Sequence, residues 1–147
     1  RILYGRVNLV TESGKILYSM GQPWANLKGK FFQINCLPHP GLMHHHSIFE
    51  DYGKFDDSFV IAGDYELLLR ELKHSNPQYV PVTMVGMQHG GLSTLEENSI
   101  IGLREMRVAL RIHGIKLPGP YWILGLTKAF LKLSISRLAI CRIVPTV

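Results

Sequence analysis

The chain has 147 residues, 46% of them hydrophobic and 18% charged. That is enough for one domain with a real core, and the apolar share excludes a disordered or low-complexity polymer. Two cysteines far apart, Cys36 and Cys141, make no disulfide framework and point to a reducing, cytoplasmic setting. The net charge of +5 is unevenly spread: residues 1–100 carry eight basic and ten acidic side chains, residues 101–147 eight basic and one acidic. A basic end of this kind suits an anionic surface, lipid headgroups or nucleic acid, and is equally the mark of a solvated helix face.

The chain opens on Arg1 inside the apolar run Ile2-Leu3-Tyr4, with no signal-peptide pattern, and reads as starting in mid-domain. Residues 2–10 and 15–18 are apolar, β-branched or aromatic, and Thr11-Glu12-Ser13-Gly14 between them is turn chemistry, which predicts a hairpin. Residues 21–38 show no clear period and hold two prolines, so a long loop or irregular edge strand is expected. Ser47-Ile48-Phe49-Glu50 is a capping-box pattern and Gly53 a stop, together a helix of about two turns. A second helix is predicted from near Asp64 through Leu67, Leu68 and Leu72 to the breaker Pro77. Residues 79–87 form a strand candidate that Pro81 confines to an edge. Ser93 and Thr94, each with a Glu three residues on, cap a third helix that reaches His113 and ends at Gly114.

Pro118-Gly119-Pro120 is a linker before a basic, apolar helix over about 121–142. The organisation is thus an α/β portion over 1–116 and a linker with a basic helix over 117–147. In this last region the longest run free of charged residues is 117–127, eleven residues against the roughly 20 that span a bilayer. At 100° per residue Lys128, Lys132 and Arg142 share a narrow arc while Arg137 projects opposite, so the amphipathicity is imperfect.

Three constellations could carry chemistry. The first is His39 with His44-His45-His46; on an extended segment only His44 and His46 share a face, and no C-x-x-C or H-E-x-x-H accompanies them, so a polar, partly exposed run is expected rather than a zinc site. The second is Asp64 in Ile61-Ala62-Gly63-Asp64-Tyr65-Glu66-Leu67-Leu68-Leu69-Arg70. A carboxylate at a helix N-terminus is held ionised by the amides there and can take a proton from a sugar hydroxyl. Plain N-capping needs the same residue at the same place, and spacing alone favours the cap. The third is Gln88-His89-Gly90-Gly91-Leu92-Ser93, which suits a loop closing over a ligand, a nest of amides for phosphate, or a simple hinge.

Three blocks in order, His39-Pro40-Gly41-Leu42-Met43, Ser47 to Phe59 (Ser47-Ile48-Phe49-Glu50-Asp51-Tyr52-Gly53-Lys54-Phe55-Asp56-Asp57-Ser58-Phe59) and Ile61 to Arg70, resemble the second half of the family 2 glycosyltransferases. The resemblance covers about residues 3–113. It implies a GT-A fold, a Rossmann-like α/β sheet, of which this chain is the acceptor-side part. It also implies transfer of a sugar from a nucleotide-sugar donor to a glycan or lipid-linked acceptor, as in cell-surface polysaccharide synthesis. By this likeness Asp64 is the catalytic base of an inverting reaction. Glu66 and Arg70 take the later acidic and basic positions of its motif, His39 opens the acceptor segment, and His89, Gly90 and Gly91 form the loop over the donor diphosphate. Gly63 stands where the family usually has an acidic residue or Ala, and His46 where it has Arg.

The family's D-x-D motif, which holds Mg²⁺ or Mn²⁺, is absent from this sequence, so the metal and donor are expected to be held mainly by an N-terminal half that is missing here. The likeness also gives the basic helix a place, at the inner face of the cell membrane, and implies no nucleic-acid partner. The reading from a different class is a non-catalytic interaction or membrane-docking module that uses this helix.

Overall fold

The computed structural model describes residues 1–88 and 96–141, without the side chains of 96–97 and 136–141. The chain is mixed α/β. Strand β1 (Ile2–Val10) is shared by three partners. Strands β2 (Ile16–Met20) and β3 (Leu42–His44) run antiparallel to its second and first halves, with Val7 opposite Met20 and Ile2 opposite His44. Strand β4 (Gln78–Gln88) runs parallel to β1 along its other edge, from Leu3 opposite Gln78 to Val10 opposite Gln88. The predicted hairpin is therefore present, closed by the Thr11 amide on the Lys15 carbonyl at 2.9 Å.

The predicted edge strand is present as well, and Pro81 explains its irregularity. The β1–β4 register slips between Tyr4 and Arg6 and again between Arg6 and Val7. Proline gives the ladder no donor, and the Pro81 carbonyl instead accepts a bond from the Arg6 guanidinium at 2.5 Å. The buried face of β1 changes phase at the same place, from Ile2 and Tyr4 to Val7 and Leu9.

Residues 21–38 depart from expectation. Helix α1 (Trp24–Phe31) replaces the predicted loop and buries Trp24, Leu27 and Phe31, which recur at helical spacing directly after Pro23. Gly29 and the lysines around it dilute the apolar pattern, but tertiary packing overrides them. The Trp24 ring meets Phe31 edge-on at 5.3 Å, and its indole N–H donates to Asn76 at 2.8 Å. Helix α2 (Ser47–Tyr52) ends at Gly53, whose φ of 78° a side chain would strain. Ser47 is its first residue rather than its cap: no side chain caps the helix, and the Ser47 hydroxyl pairs with the His45 ring at 2.9 Å.

Helix α3 (Gly63–Leu72) is central. Tyr65, Leu67, Leu68, Leu69 and Leu72 are all buried, as are Glu66 and Glu71, so nearly every side of the helix faces protein. It packs between α1, where the Tyr65 hydroxyl donates to the Phe31 carbonyl at 2.5 Å, and α4 (Glu96–Ile112), which ends before Gly114 at φ 86°. Helix α5 (Pro120–Cys141) follows and packs on α4 through Trp122, whose indole donates to the Leu103 carbonyl at 2.8 Å.

Two substitutions test this packing. Leu68→Ala should lower unfolding free energy by about 3 kcal/mol, because a fully buried leucine leaves a cavity on a helix with no exposed side to collapse toward. Gly5→Ala should cost about 2 kcal/mol, since a Cβ there would sit 2.7 Å from the Val82 carbonyl oxygen of the β4 backbone. Urea titration followed by circular dichroism reads both.

Candidate active site

Asp64 is the second residue of α3, and its side chain accepts the amide of Tyr65 at 2.6 Å. It is not the helix cap. That position is Ala62, with no side-chain cap bond, and the approach to the helix is held from elsewhere. Glu105 of α4 accepts the amides of Val60 at 2.9 Å, Ile61 at 2.7 Å and Ala62 at 2.8 Å. The capping expected from spacing is thus corrected. Asp64 lies two residues past the cap position, too far inside the helix to serve as cap, and a carboxylate 41 residues downstream holds the amides before it.

The Asp64 carboxyl lines a cleft of about 420 Å³ with His39, Cys36, Ile61, Met87 and Met106. The wall is drawn from the end of β2, the loop after α1 and the 3-10 turn that follows it, the start of α3, the carboxyl end of β4 and the middle of α4. Burial pushes the Asp64 carboxyl above the usual carboxylate range, opposed by the His39 imidazole and by the Tyr65 and Asp64 amides. Burial also pushes the Cys36 thiol up to about 11, so it stands in the cleft as a neutral thiol.

His39 opens a one-turn 3-10 helix, His39–Gly41, and its Nε2 lies 3.3 Å from Nε2 of His44. One of the two rings donates and the other accepts. Burial lowers the His44 pKa and His39 lowers it further, which favours the state in which the pair shares a single N–H. His44 and His46 do not share a strand face. The strand ends at His44, so alternation does not carry to His46, which is exposed and faces Glu50 at 3.5 Å. Among the described residues no group of three His, Cys, Asp or Glu side chains gathers to hold a metal ion.

Glu66 and Arg70 sit on another side of α3, away from the cleft wall. Their side chains form an ion pair, and Glu66 also meets His113 Nε2 at 2.9 Å. Arg70 donates onward to the carbonyls of Tyr52 at 2.6 Å and Lys54 at 2.9 Å, tying the end of α2 to α3. His89, Gly90 and Gly91 lie outside the described residues. Of the expected site residues the structure therefore brings Asp64 and His39 together and keeps Glu66 and Arg70 apart from them.

Compared with known proteins, the chain matches no family model, no curated protein and no solved structure.

Glu105 is the residue the sequence reading passed over. Its only local signal is that it is the single acid among the last 47 residues. Its partners become visible only when α4 lies beside α3. Substituting it separates positioning from chemistry. Glu105→Ala should cost about 2 kcal/mol, because three backbone amides lose their acceptor. Asp64→Asn should be as stable as the parent or more so near neutral pH: a carboxyl with a raised pKa opposes folding once it is charged. Thermal unfolding of both variants at pH 7 checks the contrast, and a large loss in Asp64→Asn would restore the structural role.

Proposed function

We propose that this chain is the acceptor-side portion of an inverting family 2 glycosyltransferase of the GT-A fold, with Asp64 as general base. The observation that carries this reading is a partly buried carboxylate in a cleft, beside an imidazole and not engaged as a helix cap. A raised pKa strengthens a carboxylate as a base in its ionised form. The cleft also takes in Met87, at the carboxyl end of a parallel strand pair, where α/β sheets commonly bind ligands. Two of the three sequence blocks that resemble the family meet here: the first supplies His39 and the third supplies Ile61 and Asp64.

In the proposed reaction Asp64 takes the proton of the acceptor hydroxyl as that oxygen attacks the anomeric carbon of the nucleotide sugar. The bond from that carbon to the diphosphate oxygen breaks, and the nucleoside diphosphate leaves with both bonding electrons. His39 faces the acceptor and tunes the charge of Asp64. Glu66 and Arg70 act through the fold by holding α3 against α2 and α4. A divalent ion would assist departure of the diphosphate. The described residues offer no ligand set for it, so Mg²⁺ or Mn²⁺ and the donor would be held by the D-x-D-bearing half that the resemblance implies.

The test is release of nucleoside diphosphate from a panel of nucleotide sugars, with divalent metal and a membrane extract as acceptor, in a polypeptide that also carries that half. Asp64→Asn should lower transfer by about a thousandfold. Retained activity would sink the assignment. The sign of the pH dependence is also determined. Asp64 works only when deprotonated, so activity should fall as pH drops through its raised pKa, above the acid limb of an ordinary carboxylate near 4. Removing the His39 charge with His39→Gln takes away a lowering influence and should move that limb to higher pH. A pH–rate profile of the two proteins side by side reads the shift.

A further inference from the structure

Helix α5 has two apolar faces, and the described protein covers one of them. Trp122, Gly125 and Ala129 recur at three- and four-residue spacing on the covered face. Trp122 bonds to α4, a Cβ added at Gly125 would lie 3.2 Å from both Leu103 and Ile34, and Ala129 is 9% exposed. At 100° per residue, Ile123, Leu124, Phe130, Leu131 and Ile135 occupy an arc of about 140° on the opposite side. All five are at least half exposed, up to 66% at Ile135.

The two polar residues within that arc make no demand on solvent for their protons. Thr127 donates its hydroxyl to the Ile123 carbonyl at 3.0 Å and Ser134 to the Phe130 carbonyl at 2.9 Å, each one turn back. Basic side chains run along one edge of the arc. Lys128 and Lys132 follow Leu124 and Ile135 around the helix. Lys30 of α1 reaches the same edge, its ammonium 5.7 Å above the Tyr121 ring. Lys30, Tyr121, Leu124 and Lys128 line a pocket of about 220 Å³. The one acidic residue of the last third, Glu105, is bound to the amides of residues 60–62 and offers this face no negative charge.

We infer that α5 lies flat in the headgroup layer of an anionic lipid bilayer, with its outer apolar face toward the acyl chains and Lys30 and Lys128 at the lipid phosphates. Charge complementarity selects this occupant: an apolar strip edged by lysines matches an acyl layer edged by phosphates. The helix lies on the surface rather than crossing it, since no helix among the described residues is long and apolar enough to span a membrane. This inference does not rest on the transferase reading, and either can fail without the other.

Vesicle flotation of the 147-residue chain tests it, with circular dichroism confirming that each variant stays folded. Binding is expected on vesicles of phosphatidylglycerol and phosphatidylcholine, and at least about tenfold weaker on phosphatidylcholine alone. Lys30→Gln combined with Lys128→Gln should weaken binding roughly twentyfold, and high salt should do the same to the parent. Leu131→Ser combined with Ile135→Ser should abolish binding with helicity unchanged, because both side chains point away from the protein. Equal binding to neutral vesicles overturns the inference. So does absence of binding to either vesicle. If light scattering then shows a dimer that Leu131→Ser with Ile135→Ser dissociates, the face belongs to a second copy of the chain.

Discussion

Helix α3 is buried on almost every side, and that constraint orders the rest of the molecule. A helix with Leu67, Leu68 and Leu69 in succession has little face left for water, so the charges it buries must be answered from inside the protein. Glu66 is answered by Arg70 and His113, and Glu71 by Arg1 and by the Ser75 hydroxyl at 2.6 Å. The backbone before the helix is answered by Glu105. Each answer ties a different element to α3: α2 through Arg70, β1 through Arg1, α4 through His113 and Glu105. The polar network and the apolar core thus specify the same arrangement, which is the condition for one well-defined fold.

Asp64 gains its character from its place at the edge of this helix. It sits at the one end of α3 that opens onto a cleft, so it is desolvated enough to raise its pKa yet reachable from solvent. Two influences hold the balance. Burial favours the protonated acid, while His39 and the first-turn amides favour the carboxylate. Since Glu105 and not Asp64 holds the approach to the helix, the carboxylate can change its charge or its partners without unfastening α3. That separation of duties is what a catalytic carboxylate requires of its scaffold.

Helix α5 shows why a weak amphipathic signal can hide two strong surfaces. Averaged around the helix, the inward stripe of Trp122, Gly125 and Ala129 and the outward arc from Ile123 to Ile135 cancel, because they point in opposite directions. The lysines fall between them on one flank. A helix that binds protein with one face and presents another to its surroundings will look nearly uniform in sequence, and only the position of α4 tells the two faces apart.

The sequence by itself determined the local elements whose signals are local. The hairpin follows from alternation and a turn, the ends of α2 and α4 from glycines at positive φ, the start of α3 from its leucine run, and the edge position of β4 from Pro81. It also singled out Asp64 and His39, which the fold brings to one cleft. It missed α1, whose three buried aromatic and aliphatic residues are diluted by glycine and lysine and cohere only against Tyr65 and Asn76. Tertiary structure alone decided that Glu105 holds the backbone before α3 and that Asp64 lines the cleft. It also placed the Glu66–Arg70 ion pair away from the cleft, and set the His44 ring beside His39. The physical reason is one of range. Propensity and periodicity act over a few residues, whereas burial, and partnerships such as Glu105 with residues 60–62, Arg1 with Glu71 and Tyr65 with Phe31, depend on groups 30 to 70 positions away that come into reach only when the chain has folded.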